Sequence, residues 1–164
     1  MNYQSYYESP LGLIQLQCTE RGLTSVQFCD LETPSPEKGK EETSTKLHPH
    51  LAKAKAQLQD YFSGKELLET ITIDPSIGTP FQQAVWREVS KIPRGETSTY
   101  GTIAQILNRP NAARAVGAAN GKNPFTILVP CHRLLGASGK LHGYVGGIER
   151  KRHLLAFENV GSIP

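Results

Sequence analysis

At 164 residues, with 38% hydrophobic and 20% charged side chains, the chain has the make-up of a soluble globular protein with room for one generous domain or two small ones. No apolar run approaches the roughly 20 residues needed to span a bilayer, and MNYQSYYESP at the start has neither a basic nor an apolar export region, so a cytoplasmic location is expected. The net charge of +3 hides an asymmetry: residues 1–78 carry 7 Lys and Arg against 11 Asp and Glu (−4), and residues 79–164 carry 11 against 4 (+7). A basic second half fits a polyanionic partner, or only a solvated charged surface.

In chain order, residues 2–8, 13–18 and 22–29 read as strands, with turns at Ser9-Pro10-Leu11-Gly12 and Glu20-Arg21-Gly22. The polar stretch 31–46 reads as a flexible loop. His48 to Phe62 fits an amphipathic helix with Leu51, Ala54, Leu58 and Phe62 on one stripe and Gly64 as its stop. Leu67 to Ile73 alternates like a strand, and Asp74 to Gly78 is the best linker, giving domains at 1–77 and 78–164. Cys18 and Cys29 sit in apolar stretches and read as inert core thiols.

Past the linker the pattern turns helical. Thr79-Pro80 is a helix start, followed by the stripe Phe81, Val85, Trp86 and Val89, with Pro93 and Gly95 as stops. Thr99 to Leu107 reads as a helix with Ile103, Ala104, Ile106 and Leu107 available for packing. A break at Asn108-Arg109-Pro110 leads to a second helix near 111–120, which makes a helix-turn-helix pattern. Ala112, Ala113, Ala115, Gly117, Ala118 and Ala119 leave Arg114, Val116 and Asn120 as the larger groups of that helix. So small a surface suits close helix packing or entry into a narrow DNA groove, and the pattern alone fits both.

Cys131 has a different setting from the other two cysteines. The segment NPFTILVPCHR reads as a strand over Ile127, Leu128 and Val129 that ends at Pro130 and presents Cys131 beside His132 and Arg133. A thiolate is the nucleophilic form, and neighbouring imidazole or guanidinium groups favour it. Glycines at 136, 139, 143, 146 and 147 imply a shaped loop around Tyr144, and a final helix spans 148–157. Glu158 at its end either orients His132 in a Cys–His–Glu relay or sits on the surface. These residues fit a cysteine nucleophile, a cysteine hydrolase among the options, or a DNA-binding module without chemistry.

Taken together, Ala112-Ala113-Arg114-Ala115-Val116-Gly117, Asn123-Pro124, Pro130-Cys131-His132-Arg133 and Gly143-Tyr144-x-Gly146-Gly147 resemble the O6-alkylguanine-DNA alkyltransferases. Thr79-Pro80-Phe81-Gln82, Gly95-Glu96-Thr97 and Leu154 to Glu158 match the same family, densely from Gly78 to Glu158. In the first half only Ser9-Pro10-Leu11-Gly12 and Gly22-Leu23 do so. The resemblance implies an α+β protein: a ribonuclease-H-like α/β domain in support, then a mostly helical, winged-helix-like domain with the helix-turn-helix.

It also implies roles. Cys131 is the alkyl acceptor, His132 its base through a water, Glu158 the partner of the imidazole, Asn123 a brace, and Tyr100 a proton donor to the leaving guanine. Arg114 fills the gap left by a flipped nucleotide, with Tyr100, Ala113 and Gly117 also at the DNA, in the minor groove. Leu134, His142, Tyr144 and Val145 form the substrate pocket. The implied partner is double-stranded DNA carrying O6-alkylguanine or O4-alkylthymine, met by a monomer that needs no cofactor and no metal. Cys18, Cys29, His48 and His50 do not fall at the zinc ligands of some relatives. Val145 stands where some relatives have serine, which leaves any hydrogen bond to the guanine oxygen there to the backbone N–H, and His142 stands where some have glycine, which narrows the pocket for large adducts. Non-catalytic relatives that sense alkylated DNA carry tryptophan at the acceptor position, and this chain keeps Cys131.

Overall fold

The computed structural model describes residues 1–30, 47–67 and 69–161, so the stretch 31–46 lies outside the described residues. The fold is α+β and divides into two compact units, Met1–Ile77 and Gly78–Pro164.

In the first unit β1 (Tyr3–Ser9), β2 (Gly12–Thr19) and β3 (Gly22–Phe28) form an antiparallel meander in that order. Both turns are tight because the last paired residues, Ser9 with Gly12 and Thr19 with Gly22, leave only two residues between them. Ile14, Leu16 and Cys18 alternate onto the buried face of β2. Helix α1 (Pro49–Phe62) packs on β1 and β2 through Leu51, Ala54, Leu58 and Tyr61. Its cap is His48, whose Nδ1 accepts from the His50 N–H at 3.3 Å. Tyr61 takes the buried place expected for Phe62, which instead stacks on Tyr7 with ring centroids 6.2 Å apart. Cys18 is a core thiol beside His48 (3.4 Å), whereas Cys29 is half-buried, outside the core expected for it.

Of the strand expected at Leu67 to Ile73, whose residue 68 lies outside the described residues, one parallel bridge is present among the described residues, between Ile73 and Leu23. Alternation reports which side faces inward, but a ladder also needs a partner. Here Leu23 supplies both bonds, its N–H to Thr72 O at 2.8 Å and its C=O to the Asp74 N–H at 2.9 Å. The segment passes so close that a Cβ on Gly22 would lie 2.6 Å from the Asp74 nitrogen.

Asp74 is an anchor at the head of the expected linker. Its buried carboxylate accepts from Thr19 Oγ1 at 2.5 Å, Ser76 Oγ at 2.8 Å and the Ser76 N–H at 2.9 Å, and pairs with Arg21 at 2.9 Å. The hydrogen bonds from Thr19 and Ser76 hold its carboxyl at about 2.

In the second unit α2 (Pro80–Val89) opens with a capping box: Thr79 Oγ1 accepts from the Gln82 N–H and Gln82 Oε1 from the Thr79 N–H. Gly78 before it has φ +80°, and a Cβ there would lie 2.5 Å from the Trp86 ring. Only glycine fits. Val85, Trp86 and Val89 are buried, and Trp86 Nε1 donates to Ala119 O at 2.9 Å. After β4 (Ser98–Thr99) come α3 (Tyr100–Ile106), capped by Thr99, and α4 (Ala113–Gly121), which packs on both α2 and α3. Ile103 and Ala104 are buried as expected, whereas Ile106 is 53% exposed, because the helix is only two turns long and turns that residue outward.

The apolar run Ile127 to Val129 is a buried turn where a strand was expected, with Ile127 in the left-handed region at φ +69°. Burial on all sides, not a ladder, explains its composition. The Asn123 carboxamide closes it, Oδ1 accepting from the Phe125 N–H at 2.9 Å and Nδ2 donating to Val129 O at 3.0 Å. Strand β5 (Leu134–Leu135) pairs in parallel with β4, and α5 (Ile148–Phe157) ends the described fold.

An aspartate titrates near 3.9 in an unfolded chain. A folded value of about 2 therefore adds stability that is complete above roughly pH 4 and is lost as pH falls toward 2. Asp74→Asn is expected to lower the melting temperature at pH 7, with the two curves converging as pH drops from about 5 to about 2. A gap that stays constant across that range contradicts this role.

Candidate active site

Cys131 begins a single 3-10 turn, Cys131–Arg133, directly after the closed turn that Asn123 braces. Asn120, on the inward face of α4 with Val116 and Ala119, donates from Nδ2 to Cys131 O at 3.2 Å. Two asparagines thus fix the cysteine backbone from both sides. The thiol itself is 2% exposed. Burial pushes it up to about 11, while a hydrogen bond from Asn123 and the charge of Lys151 pull the other way.

The guanidinium expected to favour the thiolate is engaged elsewhere. Arg133 Nε and Nη2 donate to Glu158 Oε2 and Oε1 at 2.9 and 3.0 Å, and Nη1 donates to Ile92 O at 2.6 Å. Adjacency in sequence puts Arg133 beside the cysteine, but the 3-10 turn directs its side chain into the core.

His132 lies on the same carboxylate, its Nε2 2.6 Å from Glu158 Oε1, with both side chains fully buried. Glu158 is therefore not a surface residue. Burial works to raise it, but the hydrogen bonds of His132 and Arg133, with the positive charge of Arg133, outweigh that and hold it at about 2. An ionised carboxylate only accepts, so the neutral imidazole carries its proton on Nε2 and its lone pair on Nδ1. Burial lowers His132 below its ordinary value; Glu158 opposes this, and Arg133 and Lys151 reinforce it.

Lys151 was not singled out from sequence. It is fully buried, and Nζ donates to Leu134 O at 2.7 Å and His142 O at 3.4 Å. Burial lowers it to about 8, and the charge of Cys131 acts in the opposite sense. The signal for it was present: residues 151, 154, 155 and 158 share one helical stripe with two leucines.

A cavity of about 740 Å³ lies in the same unit, lined by Thr99, Tyr100, Gly101, Ala113, Arg114, Gly117, Gly121, Gly136, Ala137, His142, Gly143, Tyr144 and Val145. Seven residues singled out from sequence meet there: Tyr100, Ala113, Arg114, Gly117, His142, Tyr144 and Val145. Leu134, expected in the pocket, is fully buried and does not line it; it is committed to β5. The small-residue helix serves two ends, packing through Val116, Ala119 and Asn120 and lining the cavity through Ala113, Arg114 and Gly117.

Tyr100 meets His142 edge to face, with centroids 5.9 Å apart, and Tyr144 meets His132 at 6.4 Å. The imidazole of His142 folds over Gly136, where a Cβ would lie 2.4 Å from Nε2. Burial and the charge of Cys131 raise Tyr100, so its hydroxyl keeps its proton at neutral pH. Among the described residues no three His, Cys, Asp or Glu side chains gather as metal ligands.

Residues 80–160 match the family model described as 6-O-methylguanine DNA methyltransferase, DNA binding domain, and residues 2–75 match its ribonuclease-like domain. A methylated-DNA–protein-cysteine methyltransferase of Mycolicibacterium paratuberculosis is 46% identical over 152 residues, covering 92% of this chain and 88% of that one. One from Methanosarcina acetivorans is 42% identical, covering 95% and 97%. The OGT protein of Mycobacterium tuberculosis, solved in complex with DNA, superposes with a TM-score of 0.74 at 44% identity, covering 94% of this chain and 91% of that one. The chain belongs to the 6-O-methylguanine DNA methyltransferase family.

Proposed function

We propose that this protein repairs DNA directly, taking the alkyl group from O6 of guanine, or O4 of thymine, onto Cys131 once per molecule. The observation that carries this is the buried set of Cys131, His132 and Glu158, with His132 Nε2 held 2.6 Å from Glu158, in a chain of this family. Residues 78–164 do the DNA-binding and catalytic work, and residues 1–77 support them. The protein works as a monomer in the cytoplasm, without a cofactor or metal.

The chemistry runs as a displacement at an alkyl carbon. His132, through a water, takes the Cys131 proton at Nδ1, and Glu158 steadies the imidazolium that results. The sulfur attacks the alkyl carbon as the carbon–oxygen bond breaks. The bonding pair passes to the guanine, and Tyr100 supplies the proton that the leaving base takes up. Solvent then carries the proton gained by His132 back to replace the one lost by Tyr100. The thioether has no hydrolytic exit, so each molecule reacts once.

The alkylated oxygen lies inside the duplex, and the nucleotide has to leave the stack, at a cost of a few kcal/mol. Double-stranded DNA as partner is supported by the relative solved with DNA. The face of α4 that presents Ala113 and Gly117 suits the minor groove, about 6 Å wide. Exposed Arg114 on that face fills the space of the flipped nucleotide. Tyr144, Val145 and His142 receive the extruded base, and the His142 ring edge-on to Tyr100 limits the size of the adduct.

Incubation with duplex DNA carrying O6-methylguanine is expected to add the mass of one methyl group to the peptide containing Cys131. An unmodified protein beside still-damaged DNA would mean binding without chemistry, and repeated turnover would mean a hydrolase. Cys131→Ala should abolish transfer and leave binding to alkylated duplex intact. Arg114→Ala should slow repair in duplex DNA by a larger factor than reaction with the free O6-alkylguanine base. Equal slowing on both substrates rejects the flipping role.

A further inference from the structure

One buried charge beside the acceptor has no part in the steps above. Arg133 is 5% exposed, and all three guanidinium nitrogens are engaged: Nε and Nη2 on the two oxygens of Glu158, and Nη1 on Ile92 O. Glu158 Oε1 therefore accepts from Arg133 and contacts His132 Nε2 together.

We propose that Arg133 is a positioning residue for alkyl transfer: it grips both oxygens of Glu158, fixing the carboxylate against His132, and offsets its charge so that His132 rests as a neutral base.

An imidazole facing a lone buried carboxylate at 2.6 Å is driven toward imidazolium, because a nearby opposite charge favours the charged form. Imidazolium has no lone pair and cannot accept the Cys131 proton. With Arg133 in place the carboxylate–guanidinium pair is neutral overall. Glu158 still orients the Nε2–H, but burial then decides the charge of the ring, and burial favours the neutral form. The charged groups acting on His132 are Glu158 at the end of α5, Lys151 earlier in that helix, and Arg133 on its own turn. Lys151 has the sign of Arg133 and acts in the same direction, and the Tyr144 ring meets His132 edge to face at 6.4 Å. A lysine at position 133 would be a point charge on a flexible stem and could not supply the two-pronged grip and the bond to Ile92 O together.

The role rests on the alkyl-transfer reading, but its observable needs no substrate. In the full chain with isotope-labelled histidine, the His132 ring is expected to titrate below its ordinary value of about 6.5. In Arg133→Met the midpoint should rise by roughly one to two pH units, and the acid limb of methyl transfer against pH should rise with it. In Arg133→Met/Glu158→Gln, which removes both charges, the midpoint should fall back below about 6.5. Arg133→Gln replaces the methionine variant if circular dichroism shows that the latter does not fold, and the same rise is expected of it. A folded Arg133 variant with an unmoved His132 midpoint overturns the proposal, as does a double variant that keeps the raised midpoint. A failure of the alkyl-transfer reading would show instead as an unmethylated wild-type protein, whatever the titration gave.

Discussion

A carboxylate with no exposed side-chain surface keeps its charge only if donors surround it, and the active region is built around meeting that demand at Glu158. Three donors do so, one from His132 and two from Arg133, all from a single 3-10 turn. The turn cannot shift without unpairing Glu158. Glu158 cannot shift without moving the end of α5, whose Leu154 and Leu155 are fully buried. Placement of Cys131 is thus tied to helix packing through one ion pair and its histidine.

The other side of the turn is held by amides. Asn123 closes the loop before Cys131 with two hydrogen bonds, and Asn120 reaches Cys131 O from α4. Helix α4 is fastened in turn by Trp86 Nε1 on Ala119 O. The same helix presents Ala113, Arg114 and Gly117 to the cavity. A helix made mostly of alanine and glycine can serve both faces because neither face fills the space it needs.

The elements with local causes were legible in the sequence. The three strands follow from alternation and turn residues, α2 from Thr79-Pro80, and α1 from its stripe and Gly64. The misreadings share one origin: hydrophobic pattern records burial and not hydrogen-bond partners. Ile127 to Val129 is buried as a turn, and Leu67 to Ile73 alternates with one bridge to Leu23. At the site, Cys131, His132 and Glu158 were named from motif order, as were seven of the residues that line the cavity, while Leu134, also named for the pocket, does not line it. The direction of Arg133 was not legible, because which way a side chain leaves a 3-10 turn depends on a carboxylate 25 residues away. Lys151 was hidden among Arg150 and Arg152 and only its place on the inward stripe marks it.

That lysine bears on the nucleophile role proposed for a thiol so deeply buried. Burial dominates and pushes Cys131 up to about 11, although Asn123 and Lys151 pull the other way. Of the charges around it, Glu158 and Arg133 cancel, His132 is neutral, and Lys151 makes no ion pair among the described residues, its Nζ bonded to two carbonyl oxygens. The buried group therefore carries one unmatched positive charge while Cys131 is a thiol, and none once it is a thiolate. Ionisation of the sulfur costs solvation but restores electroneutrality in a region of low dielectric, where such a match counts for much more than in water. With the proton on His132 the group again carries one positive charge in excess, so what favours the thiolate is its attraction to Lys151 and the imidazolium beside it, when the alkyl carbon is already in place. Burial then limits side reactions of the sulfur, a property suited to the single transfer proposed for Cys131.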